Sequence, residues 1–191
     1  MTHVSIIGTG NMGQALSGVV TKGGNTVEVF NQSSGDAPVT GDIVILAVPY
    51  PALADVLAQR ADQLAGKVVV DITNPLDFAT FDSLTVAADG SATAEIAAAL
   101  PQSRVVKAFN TVFAAVLSAG NVGPLPTTVL IAGDDAEAKA LLAGVITAGG
   151  LQAVDAGALS RARELEALGF LQITLAAAEK VSWTGGFGVV A

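Results

Sequence analysis

Gly8-Thr9-Gly10-Asn11-Met12-Gly13 follows the apolar run Val4-Ser5-Ile6-Ile7 without a break. That is the glycine spacing of a turn that seats a dinucleotide pyrophosphate at the start of a helix. Gly8 permits the tight turn off the strand, Gly10 lets the backbone approach the phosphates, and Gly13 allows close packing of helix on strand. Phosphate charge would then meet free N–H groups at the positive end of the helix dipole. Met12, Ala15, Leu16, Val19 and Val20 follow at helical spacing, and Gly23-Gly24 stops the helix. The expected ligand is a dinucleotide; the plainer alternative is a glycine-rich turn with no ligand.

The end of the second apolar run bears on which dinucleotide. An Asp or Glu there would bond a ribose 2′-hydroxyl and repel a 2′-phosphate. The chain has Asn31-Gln32-Ser33-Ser34 instead, with Glu28 too early to reach the ribose. Hydroxyls, amides and backbone donors suit a phosphate, which favours NADP over NAD; these residues also serve in ordinary polar turns. Ala47-Val48-Pro49-Tyr50, Asn74-Pro75 and Ala108-Phe109-Asn110-Thr111 stand at the carboxyl ends of three further runs, where open α/β sheets bind ligands. Of these, Ala47, Val48, Pro49, Tyr50, Asn74, Pro75, Ala108 and Asn110 complete the expected cofactor-binding set.

Groups for acid–base chemistry are scarce. His3 is the sole histidine and precedes the first run, opposite the expected crevice. Asp71 and Lys107 are charges within apolar strands, to be read as a rim ion pair or, less favourably, as a proton relay. Tyr50, the only tyrosine, is an aromatic wall or a proton donor. No side chain is assigned a catalytic role. With no cysteine and no histidine cluster, neither a disulfide nor a protein metal site is expected. Hydride transfer to a flavin-type ring needs chiefly proximity, whereas reducing a carbonyl or imine calls for a positioned donor.

These residues need a scaffold, and 191 residues suffice for one main domain. Half the chain is apolar, yet no run of about 18 residues lacks a charge or a breaker, so no membrane span is expected. A net charge of −8 argues against nucleic acid, and the absence of a leader before the first strand favours the cytoplasm. Apolar runs alternate with helical periods: strands at 4–7, 26–30, 43–48, 67–72, 105–109, 128–132 and 152–155, helices at 52–64, 92–100, 136–148 and 161–180. The expected fold is α/β, a Rossmann-like parallel sheet with helices on both faces. Only twelve residues separate Phe30 from Ile43, too few for the usual helix and strand, so the sheet order should be 2-1-3-4-5 with an open adenine pocket. Gly120 to Pro126 reads as a loop. Residues 1–150 form the nucleotide-binding unit and 151–191 a helix and tail. That helix, apolar on several sides, would pack under the sheet or carry a homodimer contact together with Trp183-Thr184-Gly185-Gly186-Phe187.

The phosphate turn, Ala47-Val48-Pro49-Tyr50, Asp71-Ile72-Thr73-Asn74-Pro75-Leu76 and Val106-Lys107-Ala108-Phe109-Asn110-Thr111 together resemble the NADPH-dependent deazaflavin-coenzyme oxidoreductases. The set is also similar to the oxidoreductase domain of the six-transmembrane epithelial antigen ferric reductases. The likeness extends to Ala132-Gly133-Asp134-Asp135 and Arg161-Ala162-Arg163-Glu164-Leu165-Glu166. It implies NADPH lying across the strand ends and passing hydride directly to a flavin or deazaflavin stacked on the nicotinamide. The chain departs from that family in its shortened segment after Phe30 and in lacking the usual arginine near Ser33 and Ser34. Gly10-Asn11-Met12-Gly13 also resembles the turn of pyrroline-carboxylate reductases, which keeps an imine or carbonyl reductase as an alternative. A third reading is an NADPH-binding redox sensor without turnover.

Overall fold

Strands turn successive side chains to opposite faces, and here both faces are apolar. Val4, Ile6, Ile43, Ile45, Val68, Val70 and Val106 are buried on one face, against Leu16, Val19, Leu117, Leu142 and Ile146. Ile7, Val44, Leu46, Val69 and Val105 are buried on the other, against Leu53, Leu64 and Ile96. A sheet apolar on both sides needs helices on both.

A computed structural model describes residues 1–190 and shows how the chain meets that need. In chain order the elements are β1 (His3–Ile7), α1 (Asn11–Lys22), β2 (Thr26–Phe30), β3 (Ile43–Leu46), α2 (Leu53–Leu64), β4 (Val68–Asp71), α3 (Ala92–Ala99) and β5 (Arg104–Lys107). There follow α4 (Ala114–Ala119), β6 (Asn121–Val122), β7 (Leu125–Pro126), β8 (Thr128–Gly133), α5 (Ala136–Ala148), β9 (Gln152–Gly157) and α6 (Ala162–Ala177). The main sheet has seven strands in the order β2-β1-β3-β4-β5-β8-β9. Helices α1, α4 and α5 cover the first face, α2 and α3 the second, and α6 packs against α3.

The short link after β2 contains a single 3-10 turn, Gln32–Ser34. The chain then enters β3 on the far side of β1, which gives the 2-1-3-4-5 order expected from its length. Other expectations need correction. The sheet is parallel through β5, but β8 runs antiparallel to it, with Val106 opposite Gly133 and Lys107 opposite Ala132. A parallel neighbour would need a crossover back along the sheet; α4, six residues and about 9 Å long, does not provide one. Residues 120–126 form the β6–β7 hairpin rather than a plain loop. Helix α6 runs from Ala162 to Ala177, shorter at both ends than 161–180. It buries one stripe, Ala162, Leu165, Glu166, Gly169, Gln172, Ile173 and Ala176, instead of several sides.

Two glycines of the phosphate turn are demanded by this packing. Gly8 has φ +125°, and a Cβ there would run into the Ala47 carbonyl; a Cβ on Gly13 would run into the Gly8 carbonyl. Gly10 faces open space. Gly13→Ala should therefore destabilise the protein by about 2 kcal/mol or more, while Gly10→Ala should stay within about 1 kcal/mol. Equal denaturation midpoints for the two variants would contradict this account of the turn.

Candidate functional site

The carboxyl ends of the parallel strands β1, β3, β4 and β5 lie along one edge of the sheet, where the crevice is expected. At its first half the backbone does the building: Gly8 N donates to Phe30 O and Ala47 N to Ile7 O, each at 2.8 Å. Gly10 is the N-cap of α1, with no side-chain cap and no acidic residue in the first turn. The helix N-terminus is thus left open for an anion. Beside it lies a cleft of about 720 Å³ that brings together Gly8, Thr9, Gly10, Asn31, Gln32, Ser33, Ala47, Val48 and Pro49. Asn11 is exposed in the groove between α1 and α4. Met12 packs on the core beside buried Gly13.

The link beyond β2 is closed by its own side chains. Asn31 Oδ1 accepts from Ser33 N at 2.9 Å, Ser33 Oγ at 2.6 Å and Ser34 Oγ at 3.2 Å, and Asn31 N donates to Ser34 Oγ at 3.0 Å. Glu28 points away from the cleft, accepting from Ser5 and Thr40. These bonds lower its pKa although burial opposes them. His3 stands with it, bonded to Thr26 and Thr40.

Sequence reasoning missed Arg60. From α2 its guanidinium lies 5.0 Å over the Phe30 ring and donates to Ala37 O at 2.9 Å and Gly35 O at 2.6 Å, while lining the cleft. Its position carried a signal: Leu53, Arg60 and Leu64 form the buried stripe of α2, so a charge occupies a place where helical period calls for an apolar residue.

Farther along that edge α6 fastens two strand ends together; Tyr50, Asn74, Pro75, Ala108 and Asn110 do not line the cleft beside Gly10. Phe109 is left-handed at φ +63°, in a turn where Asn110 N reaches Ala108 O at 2.9 Å. Asn74 Nδ2 donates to Asn110 O at 2.9 Å, and Asn110 Nδ2 to Asn74 Oδ1 at 3.0 Å and to Leu165 O at 2.8 Å. Gly169 lets the helix come this close, since a Cβ there would collide with Asn74 Oδ1 and lie 3.0 Å from Asn110 O. Pro75 follows Asn74, and Ala108 is buried beneath the turn. Thr73 Oγ1 and Asn110 Oδ1 are buried without a protein partner, so acceptor and hydroxyl capacity is left at these strand ends for water or a ligand.

Below them sits a buried charge cluster. Asp71 and Lys107 are in register on adjacent strands, and Lys107 Nζ donates to Asp71 Oδ2 at 2.8 Å, Thr73 O at 2.6 Å and Glu166 Oε1 at 2.9 Å. The three side chains are 0–1% exposed. Thr93 Oγ1 donates to Asp71 Oδ2 at 2.7 Å, and Ala92 N and Thr93 N donate to Glu166 at 3.0 and 3.3 Å. The second carboxylate thus rests on the positive end of α3. Asp71 and Lys107 form an ion pair, and its third member, Glu166, was not expected. Tyr50 is half-buried and donates to Glu95 Oε2 at 2.6 Å. Burial, then that hydrogen bond and the nearby carboxylates, push its pKa up to about 12.

A family model described as NADP oxidoreductase, coenzyme F420-dependent, matches residues 21–75. Over 171 residues the chain is 33% identical to the F420-dependent NADP reductase of Methanocaldococcus jannaschii, taking in 87% of this chain and 76% of that protein. It is 31% identical over 180 residues to the metalloreductase STEAP3 of Rattus norvegicus, where the match takes in 86% of this chain but 36% of the longer protein. A crystal structure from Arthrobacter sp. FB24, a candidate F420-dependent NADP reductase, superposes over the full length of both chains with a TM-score of 0.86 at 24% identity, a likeness of fold.

Two outcomes follow from the buried charges. Lys107→Met leaves two carboxylates uncompensated and should destabilise the protein by about 3–5 kcal/mol; a change below about 1 kcal/mol in denaturant unfolding would contradict the cluster's role. Tyr50 should show its phenolate absorbance only as pH approaches about 12. Its folded pKa lies above the ordinary 10, so the stability it contributes is complete below pH 10 and is lost as pH rises through the folded value. A near-ultraviolet titration with a midpoint at 10 would show that the Glu95 bond is absent in solution.

Proposed function

The chain belongs to the family of coenzyme F420-dependent NADP oxidoreductases, and from that premise we propose that it moves hydride between NADPH and the deazaflavin ring of coenzyme F420. The observation that carries this reading is the uncapped α1 N-terminus at Gly10, open to a cleft whose far wall, Asn31 to Ser33, has no carboxylate. A pyrophosphate suits that helix end, and the cleft has room for a nucleotide half. In this reading Gly8, Thr9, Gly10, Asn11, Met12 and Gly13 hold the pyrophosphate, and Asn31, Gln32, Ser33 and Ser34 surround the 2′-phosphate. Ala47, Val48, Pro49, Tyr50, Asn74, Pro75, Ala108 and Asn110 border the ribose and nicotinamide.

The nicotinamide supplies the hydride when bound, and the chain supplies position. Pro49 and Pro75 fix the backbone where β3 and β4 end, and the Asn74–Asn110 pair ties the end of β4 to that of β5. Nothing among these residues is poised to pass a proton near neutral pH. Tyr50, the one donor that carbonyl or imine reduction could use, donates its hydroxyl hydrogen bond to Glu95 in this structure, and burial and that bond raise its pKa. Free flavins in place of the deazaflavin, a unit boundary near residue 150 and a cytoplasmic setting complete the proposal. So does a homodimer through Leu171, Trp183 and Phe187, which are 42–52% exposed. No helix among the described residues is long and apolar enough to cross a membrane.

The test is loss of NADPH absorbance with purified protein against deazaflavin coenzyme, FMN, FAD and riboflavin in parallel, with NADH as control. Saturable turnover with the deazaflavin and a preference for NADPH are expected. Gly10→Val should abolish NADPH binding with its melting transition retained. Tight NADPH binding with no turnover on any acceptor would contradict the reading and leave an imine or carbonyl reductase or a redox sensor.

A further inference from the structure

Arg60 is a cation buried without a carboxylate. Only 5% of it is exposed, and none of the ion pairs among the described residues includes it. Burying a guanidinium in this way is costly unless a counter-charge arrives. Its two hydrogen bonds, to the carbonyls of Gly35 and Ala37, leave three of the five N–H donors that every arginine carries. A cation–π contact, with the guanidinium carbon 5.0 Å from the Phe30 ring centroid, helps to hold the group in place. Arg60 is the one cation lining the cleft that also holds Gly10 and Ser33, and Asp55 is the one carboxylate. The link from Asn31 to Asp42 contains no lysine or arginine, and the chain as a whole carries −8. An anionic ligand entering this cleft has no other local cation to meet.

We propose that Arg60 selects adenosine bearing a 2′-phosphate, acting from α2 in place of a cation on the shortened link. The inference rests on the NADP reading above and assigns that selectivity to one side chain. Arg60 is a specificity residue in this account: its guanidinium holds the link at Gly35 and Ala37, and its side chain lines the cleft with donors to spare. Ser33 and Ser34, already bonded to Asn31, shape the pocket but do not supply the charge.

The test uses 2′,5′-ADP and 5′-AMP as paired ligands in calorimetry on the whole chain, with Arg60→Gln and Arg60→Lys. The unmodified protein should bind 2′,5′-ADP at least about tenfold tighter than 5′-AMP, the size of one hydrogen bond to a charged group. That preference should weaken as salt is raised. Arg60→Gln should bring the ratio to within about twofold with 5′-AMP affinity little changed, and Arg60→Lys should keep part of it. An unchanged ratio in Arg60→Gln, or equal weakening of both ligands, would overturn the assignment. Should Arg60→Gln not fold, Arg60→Lys decides: a reduced ratio with 5′-AMP unaffected supports the inference, and equal weakening overturns it. Equal binding of both ligands by the unmodified protein would instead overturn the NADP reading, and binding of neither would overturn the dinucleotide cleft.

Discussion

Lys107 is the constraint on which the second half of this molecule depends. Strand alternation places it and Asp71 on the same buried face, side by side on β5 and β4. One lysine and one aspartate leave N–H donors unmet, and the Thr73 carbonyl and Glu166 take them. Glu166 in turn needs more than one donor, and the first N–H groups of α3 meet that need. A charge buried this deeply tolerates few arrangements, so the requirement fixes where α6 lies against β4, β5 and α3. Removing any member leaves an uncompensated group inside the protein.

Seating α6 there finishes the crevice. Gly169 is one helical turn beyond Glu166, and its missing Cβ admits the Asn74–Asn110 pair. The strand ends are therefore joined to each other and to the helix. The first half of the crevice follows another rule, because backbone groups rather than side chains form it. Gly8 and Gly13 allow the approach of β1, β3 and α1, and Gly10 leaves the helix end open. Polar side chains in both halves mostly hold the frame. That division matches a reaction in which geometry, and not proton transfer by the protein, determines the rate.

Much of this was legible in the residues. The phosphate turn, the 2-1-3-4-5 order and the pairing of Asp71 with Lys107 follow from local spacing and from a link too short for another strand. What was not legible involves partners chosen across long stretches of chain. Glu166 stands in Arg161-Ala162-Arg163-Glu164-Leu165-Glu166, which reads as a solvated helix start; only the unmet donors of Lys107 single it out. The link near Ser33 has no arginine of its own, and nothing local shows that Arg60 reaches that link from α2. The reversal of β8 depends on a six-residue helix and a hairpin of two-residue strands, both too short to produce a period.

The central claim is that positioning alone moves hydride between NADPH and a deazaflavin on this chain. It is tested most directly by following deuterium from NADPH labelled at the transferring position of the nicotinamide. The account predicts that the label passes wholly into the reduced deazaflavin and that none reaches water, in ordinary solvent and in the reverse experiment in heavy water. Loss of label to solvent would contradict it, because the hydrogen would then have passed through an exchangeable site instead of moving as hydride from carbon to carbon, while the proton that completes the reduced ring is taken from water.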